Sequence, residues 1–211
     1  MGRFFCEGCQ KKIEFFDIQV CPYCEKPSLN GLTHEGCRKK DGLDGMFVLA
    51  HYRGPIREAI RQIKYEGAFA IGKEIADMFR EKYHHKFEFD YLVPVPLSAE
   101  RERDRGFNQA EKLAGYLNQG SRNRNQETKV QNCLRRNRNT KPQFDLSSEE
   151  RINNVENAFV LISNFKLKIS NSSVCLVDDV CTTGATIFEC AKVLKMAGAK
   201  KVYAICVARG G

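Results

Sequence analysis

Residues 174 to 186 read Val-Cys-Leu-Val-Asp-Asp-Val-Cys-Thr-Thr-Gly-Ala-Thr, an order of side chains that could act on a phosphorylated sugar. Asp178 and Asp179 place two carboxylates side by side. When ionised they only accept hydrogen bonds, which suits the neighbouring hydroxyls of a ribose. Thr182, Thr183, Gly184, Ala185 and Thr186 follow as a small, hydroxyl-rich turn into a helix expected to reach Ala197. Such a turn offers a phosphate unpaired backbone N–H groups and the positive end of a helix dipole. The element that must carry these groups is Val174 to Val177, an unbroken apolar run typical of a strand buried on both faces of a parallel sheet. A strand ending at Val177 delivers both acids to its carboxyl edge, where open α/β sheets bind ligands.

The other elements fit the same architecture. Met46 to Tyr52 reads as a strand, and Pro55 suits the first position of a helix whose Ile56, Ile60 and Ile63 share one face. Lys64 and Tyr65, at the end of that helix, are not explained by core packing. A second helix is expected over Ala70 to Lys82, a buried strand over Tyr91 to Val95, and helices over Asn108 to Asn118 and Gly184 to Ala197, with Gly198 stopping the latter. A last strand covers Val202 to Val207. Strands alternating with helices predict an α/β fold, a parallel sheet flanked by helices. His84 and His85 fall in a polar loop. Residues 118 to 143 are rich in Asn, Gln and Arg, with a short strand at Thr128 to Leu134, and could form either a linker or a lid over a phosphate site. Gly67 to Lys73 imitates a nucleotide-binding P-loop. However, Glu74 replaces the required hydroxyl and no strand precedes it, so that reading is rejected.

The chain has 211 residues, 42% of them apolar, enough for one ordinary domain and a small appendage. No apolar run is long enough to span a bilayer and no export signal is recognisable, so a cytoplasmic location without membrane insertion is expected. Ten cysteines in a reducing compartment argue for metal ligands rather than disulfides. Cys6-x-x-Cys9, Cys21-x-x-Cys24 and His34-x-x-Cys37 give six candidates for the four positions of a structural zinc site. Cys6, Cys9, Cys21 and Cys24 form one set; Cys21, Cys24, His34 and Cys37 form another. Either would hold residues 1–42 as a module too small to bury its own core, with residues 43–211 as the main domain. Loss of Cys21 is expected to release metal and loosen the module without unfolding the sheet. Cys175, Cys190 and Cys206 read as small core residues. Nothing in the sequence sets the oligomeric state.

Residues 174 to 186 resemble the signature of the type I phosphoribosyltransferases, which bind phosphoribosyl pyrophosphate (PRPP). The wider chain resembles the ComF family of competence proteins, phosphoribosyltransferase-like proteins with an amino-terminal zinc finger. The resemblance runs through the cysteine pairs, Tyr52-Arg-Gly-Pro-Ile-Arg, Lys64-Tyr65-Glu-Gly67 and Pro94-Val-Pro-Leu97. It continues through Arg101, Arg103 and Arg105-Gly-Phe-Asn-Gln109, then Arg136-Asn-Arg-Asn-Thr140, Gln143 and Arg151. It implies that Asp178, Asp179, Thr182, Thr183, Gly184, Ala185 and Thr186 bind PRPP, with Asp178 and Asp179 catalytic. It further implies that Pro94, Val95 and Pro96, with Arg101, Arg103 and Arg105, bind pyrophosphate. Magnesium would accompany PRPP, and a nitrogen nucleophile of unknown identity would displace pyrophosphate. It also implies a link to DNA uptake. The net charge of +8 would suit either such anionic ligands or a non-catalytic adaptor that binds PRPP, single-stranded DNA or DNA-uptake proteins.

Overall fold

The computed structural model describes residues 4–83, 89–119, 122–123, 126–138 and 147–210. Nine strands and eight α-helices lie among these residues. In chain order they are α1 (Glu7–Gln10), β1 (Gly45–His51), α2 (Gly54–Glu66), α3 (Phe69–Lys82), β2 (Tyr91–Pro94), α4 (Ala99–Arg105), α5 (Gln109–Gln119), β3 (Arg122–Asn123), β4 (Gln126–Glu127), β5 (Lys129–Val130), β6 (Leu134–Arg136), α6 (Ser148–Val155), β7 (Phe159–Leu161), α7 (Lys166–Ile169), β8 (Ser173–Cys181), α8 (Ala185–Met196) and β9 (Lys201–Arg209).

Five strands form one all-parallel sheet in the order β1-β9-β8-β2-β5, as the α/β reading predicts. Alternate residues of each strand serve two cores. Cys175, Val177, Ile205 and Val207 face α2, α3 and α5 through Ile56, Ile60, Ile75 and Leu113. Val174, Leu176, Ala204 and Cys206 face α6, α7 and α8 through Val155, Ile169, Ile187 and Leu194. Burial on both faces explains why these strands read as continuous apolar runs. The chain leaves β2 outward to β5 and leaves β8 in the opposite direction to β9. The carboxyl ends of β2 and β8 are therefore the point where the connections diverge and a crevice opens.

Several expectations are revised. β8 does not end at Val177 but runs through both acids to Cys181, because β9 continues beside it and pairs Asp178 with Cys206 and Cys181 with Arg209. Only on the other side do the acids emerge, since β2 stops at Pro94, opposite Val177. Residues 99–105, where no helix was expected, form α4, and the single strand at Thr128 to Leu134 is split between β5 and β6. Gly67 to Lys73 leads into and lies on α3, a helix rather than a phosphate loop. His84, His85, Thr140 and Gln143 lie outside the described residues, as do residues 120–121, 124–125 and 139–143 of the segment read as a linker or a lid.

The amino-terminal segment is built into the sheet's exposed edge. Phe16 N–H donates to Leu49 O (2.9 Å) and His51 N–H to Glu14 O (2.9 Å). The Gln19 amide both donates to Val48 O and accepts from Val48 N–H, each at 3.0 Å. Phe5 and Ile13 are buried in the α2–α3–α5 core. These contacts satisfy backbone groups that an edge strand would otherwise leave open. Among the described residues, no helix is long and apolar enough to cross a membrane.

Candidate functional site

A cleft of about 860 Å³ opens at the carboxyl ends of β2 and β8. Asp178, Asp179, Thr182 and Thr186 line it from β8 and the following turn, with Val95 and Pro96 beyond β2 and Arg101 and Arg105 on α4. These were all expected. Thr183, Gly184 and Ala185 shape the turn without lining the cleft, and Pro94 is buried at the end of β2. Arg103 is exposed and does not line the cleft. On a helix, positions 101 and 105 share a face while 103 points away.

Each acid is held in place by the backbone. Asp178 Oδ1 accepts Asp179 N–H (2.8 Å) and Asp179 Oδ1 accepts Val180 N–H (2.9 Å). Asp179 also pairs with Lys64 Nζ at 2.5 Å, both side chains largely buried. Their titration properties diverge. Burial and the Asp179 charge push Asp178 well above the ordinary carboxylate range. Burial acts in the same direction on Asp179, but the charge and hydrogen bond of Lys64 outweigh it and hold Asp179 below that range. Burial lowers Lys64, and Asp179 reverses this, raising it. The result is one firmly ionised carboxylate beside one that readily takes a proton.

The turn that follows is set by Gly184, whose φ of 78° is left-handed and whose added Cβ would stand 2.7 Å from the Phe188 ring. Thr183 Oγ1 accepts Ala185 N–H at 3.4 Å at the start of α8. Opposite, the loop after β2 is tied to α5 by Asn108, whose amide donates to Val95 O (3.0 Å) and accepts Ala110 N–H (3.0 Å). Arg105 lies over the Tyr65 ring, 5.5 Å from its centroid, and donates to Gln109.

The wall holds further cations. Arg136 on β6 lies over the Phe159 ring, and Arg151 comes from α6. Burial and the neighbouring charge of Arg101 lower the pKa of Arg136, a pair of like charges that an anion between them would relieve. Lys64, Tyr65, Tyr52, Gly67, Gln109, Arg136 and Arg151 line the cleft without having been assigned to it. All fall in segments that carried the family resemblance, and that was the available signal. Leu97, Asp104, Phe107 and Val180 complete the lining.

A second cluster lies in the amino-terminal segment. One ligand atom each from Cys21, Cys24, His34 and Cys37 lies within 4.8 Å of the others, a set that could hold one tetrahedral zinc ion. His34 Nδ1 is 3.3 Å from Cys24 Sγ, while Nε2 is 3.1 Å from Pro27 O. A proton on Nε2, donated to that carbonyl, leaves Nδ1 free to ligate. Burial pushes the Cys21 thiol up, but N–H groups of Cys24, His34 and Tyr23 bring it down to about 7. The compact set is thus the one assembled. Cys6 and Cys9 stand outside it. Cys175, Cys190 and Cys206 are fully buried, as core residues should be.

No family model matches the chain. Competence protein F of Haemophilus influenzae is 32% identical, with 97% of this chain and 90% of that protein aligned. Competence protein ComFC of Streptococcus pneumoniae is 27% identical over 97% of this chain and 87% of its own length. DNA utilization protein YhgH of Escherichia coli K12 is 28% identical over 97% and 89%. With an acid-tipped central strand, a threonine turn and a Cys3His cluster all in place, and similarity of this extent along nearly its whole length, the chain belongs to the ComF family of competence proteins.

Proposed function

We propose that the chain binds PRPP and transfers its phosphoribosyl group to a nitrogen nucleophile, releasing pyrophosphate, in the service of DNA uptake. The observation that carries this reading is the juxtaposition in one cleft of Asp178 and Asp179, the turn at Thr182–Thr186, and the cations Arg101, Arg105, Arg136 and Arg151. In this reading the 5-phosphate lies on residues 182–186, at the start of the twelve-residue α8. The ribose hydroxyls meet Asp178 and Asp179. The pyrophosphate, accompanied by magnesium, faces the arginines, which bind phosphate through forked charge-assisted bonds.

The C1–oxygen bond breaks with its electron pair going to pyrophosphate, and the nitrogen lone pair forms the new bond to C1 before losing a proton. Positive charge growing on the sugar is stabilised by the fixed, ionised Asp179. We also propose that residues 1–42 form a zinc-held module on a domain of residues 43–211. The relatives' names, competence and DNA utilization, support the biological assignment.

Calorimetry with magnesium and PRPP tests binding. Asp178→Asn combined with Asp179→Asn is expected to abolish it, and an unchanged affinity would overturn the reading. Pyrophosphate release with candidate bases tests turnover. A second reading, a non-catalytic adaptor, is favoured by the Lys64–Asp179 pair, which already satisfies one acid in the free protein. PRPP binding without pyrophosphate release for any base would select it, and a DNA titration against salt would test its nucleic-acid arm.

A further inference from the structure

The metal-ligand cluster and the threonine turn touch at two places. Tyr23 lies between Cys21 and Cys24, and its hydroxyl accepts the N–H of Leu43 at 2.7 Å. Its ring stacks on Phe188 of α8, with centroids 5.0 Å apart and planes 15° from parallel. Phe188 in turn covers Gly184, the left-handed residue of the turn, and donates its N–H to Gly184 O at 2.8 Å. The second contact starts at Glu25, directly after Cys24 and itself left-handed at φ 58°. Glu25 accepts a hydrogen bond from Arg209, whose side chain is only 12% exposed. Arg209 is the β9 partner of Cys181, and the next residue, Gly210, donates its N–H to Cys181 O at 2.9 Å. One contact therefore braces the entry of the turn at Cys181, and the other braces its apex at Gly184.

We propose that the Cys21–Cys24 knuckle is a positioning element for the anion turn. Tyr23 and Glu25 act as positioning residues that hold residues 181–186 through Phe188 and Arg209. The turn is closed by Glu25 N–H donating to Cys21 O at 3.0 Å, and one ion bound to both sulfurs clamps it further. Without that clamp, Pro22 and Tyr23 gain conformational freedom, and the Tyr23 ring holds Phe188 over Gly184 less firmly. Metal occupancy some distance from the cleft is thereby transmitted to the geometry of the cleft. The contacts stand independently of what the cleft binds; only the ligand arm of the test rests on the proposed function.

The test is amide hydrogen exchange on the full chain, with zinc content measured in each sample. In Tyr23→Ala that still holds one zinc per chain, amides of residues 182–188 are expected to exchange at least fivefold faster, while those of β1 and β2 stay unchanged. Tyr23→Phe keeps the stack and is expected to stay within twofold of wild type, a rescue that a general loss of stability would not show. Phe188→Leu changes the far side of the stack, outside the knuckle, and is expected to reproduce the Tyr23→Ala pattern even if Tyr23→Ala fails to fold or to hold metal. Chelation of the wild type should accelerate the same amides. Unchanged exchange at 182–188 in zinc-loaded Tyr23→Ala or Phe188→Leu, or acceleration in those two variants spread evenly over the sheet, overturns the proposal. PRPP with magnesium, whose 5-phosphate would rest on the turn, serves as ligand probe, with at least threefold weaker binding expected in Tyr23→Ala. If wild type does not bind it, the function proposed above fails while the exchange result still decides this inference.

Discussion

Asp178 and Asp179 are adjacent, chemically identical, and held in opposite protonation tendencies by what each meets. For Asp178 the folded-state pKa lies above the ordinary value of 3.8. Its contribution to stability is therefore full below that value and is lost as pH rises through the elevated pKa. For Asp179 the folded-state pKa lies below 3.8, so its contribution is present above that value and is lost as pH falls. Asp178→Asn, which mimics the protonated acid and keeps the acceptor for Asp179 N–H, is accordingly expected to raise Tm at about pH 8 and leave it nearly unchanged at about pH 4. Thermal melts across pH check this. Lys64→Met strands the buried Asp179 carboxylate and is expected to cost about 3 kcal/mol in urea denaturation, most of it recovered by adding Asp179→Asn. Gly184→Ala meets both an unfavourable φ and the Phe188 ring; a loss of about 1–3 kcal/mol with weakened PRPP binding through the 5-phosphate turn is expected.

The helices and strands show which parts of the sequence could be read and which could not. The runs at 46–52, 91–95, 174–177 and 202–207 announced strands because burial on two faces leaves an unbroken apolar signal, and each is present within a few residues. The end of β8 was misjudged for a physical reason: the acids look like a strand terminus in one dimension, yet β9 keeps pairing beside them. Helix α4 has no apolar face to betray it. Its signals were electrostatic and local: Ser98 as N-cap, Glu100 and Glu102 in the first turn, Arg103 and Arg105 in the last, and Gly106 beyond. Helix α6 announces itself through the capping box of Ser147 and Glu150. Missing α4 had a cost at the site, since three arginines in a loop are equivalent and three on a helix are not. Arg101→Ala and Arg105→Ala are expected to weaken magnesium pyrophosphate binding about tenfold each, consistent with ~1.5–3 kcal/mol for hydrogen bonds to charged groups. Arg103→Ala should change it less than about twofold, since its charge is exposed and screened. Titration calorimetry on the three variants distinguishes a helix from an equivalent loop. Arg136 and Arg151 were out of reach of local reading, and Lys64 stood out only as unexplained by core packing, because only the fold brings α2, β6 and α6 to the same cleft.

Taken as one body, the protein gives its amino-terminal segment little independence. The expectation that Cys21→Ser would loosen a separate module sits uneasily with Phe5 and Ile13 in the main core and with residues 14–19 bonded along β1. Chelation or Cys21→Ser is therefore expected to lower Tm of the whole molecule in a single transition. Calorimetry showing two well-separated transitions would restore the looser arrangement.

The strand order carries one more consequence, for synthesis. β1 and β2, the first two long strands made, are never neighbours; β9 and β8 stand between them. A growing chain that stops at residue 172 holds both flanks of the sheet and nothing to join them, with the inner edges of β1 and β2 left unpaired. Such a nascent polypeptide can collapse but cannot assemble its sheet, so folding must await the last strands, and the partly made chain is a natural client for chaperones until then.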